Sequence, residues 1–116
     1  MNKEFIPYAE ALALKELGFD EDCFVIYPNS TSQLRARPRF LYETDVKAPL
    51  YQQAFRWFRE KYGFYPQIEI NAYYQIWLVK LCNVDGTWSA VASKKSYEEA
   101  ELACLRKLIE LANESI

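Results

Sequence analysis

Three arginines at alternate positions, Arg35, Arg37 and Arg39, form the constellation in this sequence with the clearest chemistry of its own. In an extended chain alternate side chains leave the same face about 6.5 to 7 Å apart, and guanidinium groups in such a row suit phosphates or carboxylates. Leu34, Ala36, Pro38, Phe40 and Tyr42 alternate with them. The pattern predicts a strand over residues 34–42, and Pro38, which has no N–H to give a ladder, puts that strand at a sheet edge. Charge and proline also protect an edge from unwanted pairing, so the row reads either as a binding surface or as a solvated edge. Asp20, Glu21 and Asp22 lie one strand earlier, where they could neutralise part of it.

Catalytic chemistry finds little support. Histidine is absent, which removes the side chain best suited to proton transfer near neutrality and the commonest transition-metal ligand. The acidic residues fall in caps, turns and helix faces, where helix-end electrostatics explain them. Gly18, Gly63 and Gly86 stand alone, so no glycine-rich phosphate loop can form. Cys23, Cys82 and Cys104 are odd in number and widely spaced, which fits neither a disulfide framework nor a paired metal site; they read as small buried hydrophobes. The expectation is a protein that is not an enzyme and has no cofactor or metal.

The elements that must carry the arginines are well marked. Ala9 to Leu17 is a run of strong helix formers opened by Pro7, and Gly18 ends it, with Phe19 placed to contact Leu14 in a Schellman arrangement. Cys23 to Tyr27 reads as a strand closed by the turn residues Pro28, Asn29 and Ser30. The clearest helix begins with Pro49 in its first turn and stops at Gly63, with Phe64 expected to fold back over Phe58. Trp57, Leu50, Ala54, Phe58, Tyr51, Tyr62 and Phe55 share one arc of it, opposite Gln52, Gln53, Arg56, Arg59 and Glu60. That arc describes a core helix. Gln67 to Cys82 is too long for one ordinary strand and breaks near Asn71 and Ala72. Asn83-Val84-Asp85-Gly86 supplies a turn, and Thr87 to Ala92 returns as the partner of a hairpin. Ser96 and Glu99 make a capping box for a last helix, which buries Tyr97, Ala100, Cys104, Leu105, Leu108, Ile109, Leu111 and Ala112 and frays over residues 113–116.

These readings combine into one α+β domain over residues 1–116, an antiparallel sheet of about four strands with the helices packed mainly on one face, in the order α-β-β-α-β-β-α. The length of 116 residues, with 51% hydrophobic and 16% aromatic residues, is enough to bury a core. There is no basic segment followed by an apolar run as in a signal peptide, and no apolar stretch of about 20 residues to span a bilayer. The expected setting is a reducing cytoplasm, with no membrane partner. A net charge of -2 and a pI near 5.2 run against the basic footprint of a general nucleic-acid binder. Residues 1–46 hold five basic and eight acidic side chains, residues 47–116 nine and eight; neither half is polarised enough to name a partner.

Two surfaces remain. If Arg56 and Arg59 on the polar helix face lie beside Arg35, Arg37 and Arg39, the two rows make one basic surface. Tyr65, Tyr73, Tyr74, Trp77 and Trp88 cannot all face inward on alternating strands, so Tyr73, Trp77 and Trp88 are candidates for an aromatic protein interface.

In residues 48–63 and 97–105, and in the opening Ala11-Leu12-Ala13-Leu14-Lys15-Glu16-Leu17-Gly18-Phe19-Asp20, the chain resembles a family of short uncharacterised proteins of gut bacteria and their phages or prophages. The resemblance implies a small accessory protein of a mobile element and no particular activity. There is also a looser likeness to the double-stranded RNA-binding domain, carried by the order helix, antiparallel strands, then Ser93-Lys94-Lys95 before a final helix. It implies phosphate contacts at that helix start, where Glu98, Glu99 and Glu101 would repel them. The function expected is therefore a non-enzymatic cytoplasmic accessory protein that binds another protein, a second copy of itself included. The alternative is a nucleic-acid-binding module using the basic strand and helix face.

Overall fold

Gly18 and Gly63 close their helices in the left-handed region, at φ 101° and 73°, where a side chain would be strained. α1 (Tyr8–Glu16) ends in the expected Schellman pair: Phe19 N–H donates to Leu14 O at 2.9 Å and Gly18 N–H to Lys15 O at 3.0 Å. α2 (Tyr51–Tyr62) ends with Gly63 N–H on Arg59 O at 3.1 Å. Phe64 stacks on Tyr62, with ring centroids 5.6 Å apart and planes 10° from parallel, where Phe58 was the expected partner. Tyr62 is one helical turn on from Phe58 and nearer the cap, so the chain leaving Gly63 meets it first.

The computed structural model describes residues 2–83 and 85–115, with Asn2 and Ser30 described by backbone alone. Val84, part of the expected turn, and Ile116, part of the expected frayed end, lie outside the described residues. Two compact units divide the chain, Met1–Gln53 and Ala54–Ile116, and each has its own antiparallel three-stranded sheet. The α+β class and the general order of elements stand, but the single sheet of about four strands does not.

In the first unit β1 (Val25–Tyr27) is central, flanked by β2 (Arg35–Ala36) and β3 (Val46–Lys47). Val25 faces Ala36, and Ile26 lies between Arg35 and Lys47. The expected strand over residues 34–42 shrinks to two residues. β1 is only three residues long and offers no further ladder, and of the apolar positions in the alternation Leu34 is half-buried while Ala36, Pro38, Phe40 and Tyr42 are exposed. Ile6, Leu14, Ile26 and Val46 are almost fully buried. Tyr27 ties the N-terminal segment down: its hydroxyl donates to Ile6 O at 2.7 Å, and its ring meets Tyr8 edge to face at 5.5 Å.

The second unit holds most of α2, then the meander β4 (Tyr65–Asn71), β5 (Ile76–Cys82) and β6 (Trp88–Lys94), then α3 (Tyr97–Glu114). The long apolar stretch breaks where expected, in a turn over residues 72–75 in which Tyr74 N–H donates to Asn71 Oδ1 at 3.2 Å. Pro66 sits on β4, an edge strand, where its missing donor does no harm. β5 has a partner on each side, with a bulge between Val79 and Lys80 on the β6 side. Val79 and Leu81 are buried, as are Ala100, Cys104, Leu105, Leu108 and Ala112 of α3, which packs on this sheet. Each fully buried leucine here contributes about 1.5 to 3 kcal/mol. Ser96 caps α3 as its type and spacing predict: its hydroxyl accepts from Glu99 N–H at 3.2 Å and lies 3.1 Å from the Glu99 carboxylate.

Urea unfolding checks this division of labour. Ser96→Ala, which removes a cap, is expected to cost about 1 kcal/mol, and Leu105→Ala, which opens a cavity under the sheet, about 2 to 5 kcal/mol.

Candidate functional site

Phe24, Phe40 and Tyr42 are 81%, 74% and 78% exposed, unusual values for rings of this size and all within the first unit. The backbone sets Phe24 beside the arginine segment, because Arg37 N–H donates to Phe24 O at 2.9 Å, one step beyond the Val25–Ala36 pair. Arg35, Arg37 and Arg39 are all exposed. The Arg39 guanidinium lies 5.6 Å from the centroid of the Phe40 ring, within cation–π reach. Asp22 does meet the row: its carboxylate is 3.5 Å from Arg37 Nη2 and 89% exposed. At that distance and exposure the pair is worth little, so Arg37 keeps its capacity for another anion.

The segment after the arginines has no strand to hold it, and polar contacts do the work. Asp45 accepts from Asn29 N–H through one carboxylate oxygen and from Tyr42 N–H through the other, each at 2.9 Å. Those two N–H groups, Tyr42 first, hold its carboxyl below the usual carboxylate range. Lys15 reaches across from α1 to donate to Glu43 O and, at 3.1 Å, to Asp45 O. Leu41 and Tyr42 also line, with Phe19, an open pocket of about 340 Å³. The Phe40 and Tyr42 rings are thus presented on a fastened loop.

The other candidates belong to the second unit. Arg56 and Arg59 are exposed on α2, in the second unit. Tyr73 and Tyr74 project from the β4–β5 turn, 87% and 67% exposed, with their rings edge to face at 4.8 Å. Trp77 is half-buried and meets Tyr97 edge to face at 5.1 Å. Trp88 is 51% exposed on β6.

Phe24 was missed as a site residue. Its signal was the alternation with Cys23, which is buried and so sends Phe24 outward. Glu101 was missed too, and is the charged side chain found buried among the described residues. Burial, then the neighbouring Glu98, raise its pKa above the usual 4.5, against a hydrogen bond from Tyr97 that lowers it. Cys23 and Cys104 are buried as expected, and burial pushes their thiols up to about 11 and about 12; Cys82 is half-buried. Among the described residues no group of three or more His, Cys, Asp or Glu side chains could hold a metal ion, and no helix is long and apolar enough to cross a membrane.

Comparison with protein-family models, curated proteins and solved structures finds no match to this chain.

Two measurements probe the buried groups. A raised carboxyl pKa means the folded state holds the Glu101 proton more tightly. The stability this contributes is full below pH 4.5 and is lost as pH rises through the folded value. Glu101→Gln is therefore expected to gain stability relative to the wild type as pH rises above 4.5, read by urea unfolding across a pH series. A thiol-specific chromogenic reagent at pH 8 is expected to label Cys82 in the folded protein, and all three cysteines only after denaturation.

Proposed function

We propose that this is a non-enzymatic accessory protein that acts in the cytoplasm by binding another protein, and that Phe24, Arg37, Arg39 and Phe40 form the centre of the contact. The observation that carries the reading is the exposure of two phenylalanine rings beside arginines, Phe40 on a loop held in place by Asp45 and Lys15 and Phe24 tied to the same segment through Arg37 N–H. Aromatic residues and arginine are the types enriched in interfaces and in their energetic hot spots. An apolar ring left in water on a fastened backbone loses little entropy when a partner covers it. The likeness of residues 11–20, 48–63 and 97–105 to short phage and prophage proteins agrees with an accessory role.

A nucleic-acid ligand is the second reading, favoured by the interleaving of arginines with exposed rings, since bases stack on aromatic faces and phosphates pair with guanidinium groups. The overall acidity weighs against it.

The test starts from the protein captured on this chain in cells that carry its gene, purified and titrated against wild type and Phe24→Ala/Phe40→Ala. The reading predicts a loss of roughly 30-fold or more in affinity with an unchanged circular dichroism spectrum. Equal affinities would count against the surface. Binding to oligonucleotides that falls steeply with salt, and disappears in Arg35→Gln/Arg37→Gln/Arg39→Gln, would transfer the function to nucleic acid.

A further inference from the structure

The solvent face of the second sheet carries a different kind of surface. α3 packs on this sheet, and Val79 and Leu81 of β5 are buried, so the alternate residues Lys80 and Cys82 point the other way. Strand register puts Tyr65, Cys82 and Trp88 in one row across the three strands, and Gln67, Lys80 and Ala90 in the next. Tyr65 and Trp88 are each about half exposed, at 49% and 51%. They stand on the two outer strands, about 10 Å apart by strand spacing, with the small Cys82 between them. Gln67, Lys80, Trp88, Ser89 and Ala90 line an open concavity of about 570 Å³.

The polar groups on this face are already organised. Glu69 accepts from Gln67 Nε2 at 3.1 Å through one oxygen and pairs with Lys80 Nζ at 2.8 Å through the other. This arrangement decides the ligand chemistry. Lys80 is neutralised by Glu69, so the concavity offers no net positive charge to a phosphate. An amide, a carboxylate and an ammonium group held together instead supply both donors and acceptors, beside two aromatic faces. A ring with an apolar face and a fan of hydroxyls at its edge satisfies all of these groups together. Two half-exposed rings about 10 Å apart, with a small residue between them, match an extended chain of such rings, where a compact single ligand would reach only one of them.

We propose that the Tyr65–Trp88 face of the β4–β5–β6 sheet binds a neutral polysaccharide chain, its sugar rings stacking on Tyr65 and Trp88 and its hydroxyls hydrogen-bonding to Gln67, Glu69 and Lys80. This site is independent of the Phe24–Phe40 surface.

Affinity gel electrophoresis of the full chain through hydroxyethylcellulose, xylan, mannan and a β-1,3-glucan tests it. The expected result is retardation by at least one of these polymers that does not change with salt. Trp88→Ala should abolish it, Tyr65→Ala and Gln67→Ala should each weaken it about tenfold or more, and Phe24→Ala/Phe40→Ala should leave it intact. All of these side chains are exposed or half-exposed, and a matching circular dichroism spectrum checks that each variant folds. Retardation by none of the polymers, or retardation that survives Trp88→Ala, overturns the proposal. So does binding only to an anionic polymer such as oligo(dT), lost as salt rises.

Discussion

A strand flanked on both sides is committed to its ladder, and the pleat then fixes which of its side chains go to which face. β5 is that strand in the second unit. Val79 and Leu81 go to the face on which α3 packs, and α3 answers with Ala100, Cys104, Leu105, Leu108 and Ala112. Lys80 and Cys82 are then sent to the other face, together with Tyr65 and Trp88 on the flanking strands. The half-exposed aromatic row is thus a consequence of how the core is filled. The bulge between Val79 and Lys80 is where β6 departs from strict pairing; such a bulge twists a strand locally and helps protect an edge.

The first unit works under a tighter limit, because β1 has three residues and cannot carry long partners. β2 and β3 pair for two residues each, and the chain between them is held by side chain to backbone contacts. Asp45 gathers two N–H groups, and Lys15 gathers two carbonyls. Backbone groups that a longer ladder would have paired are met this way instead. Arg37, Arg39 and the Phe40 and Tyr42 rings ride on that segment with only Leu41 half-buried among them, which leaves them to solvent or to a partner.

How far the sequence foretold this depends on whether the signal was local. Helix ends were legible because a lone glycine after a helical run, followed by an aromatic residue, has few other uses, and Gly18 fulfils the pattern in both of its hydrogen bonds. The capping serine and the break at Asn71 were legible for the same reason. The strand over residues 34–42 was misread because alternation of arginine with apolar residues signals a strand only when a partner extends the ladder and another layer covers the apolar side; β1 offers three residues to pair with, and Ala36, Pro38, Phe40 and Tyr42 are left exposed. β3 was overlooked because two residues carry no periodicity at all. With β3 unseen, β1 read as having a free side on which the later strands could pair, whereas β3 occupies that side. Of the site, the arginines were legible by their spacing, while Phe24 was hidden inside what read as an ordinary strand. Glu101 was hidden among the acids of a helix start, where carboxylates are usually solvated.

The account rests on the claim that Phe24 and Phe40 are exposed in order to be covered by another protein. A photoreactive phenylalanine analogue placed at position 24 or 40, and at the exposed Lys3 as a control, reads this directly in living cells. The account predicts one discrete covalent protein adduct on illumination from positions 24 and 40 and none from position 3. Adducts only to nucleic acid, or the same faint ladder from all three positions, would contradict it.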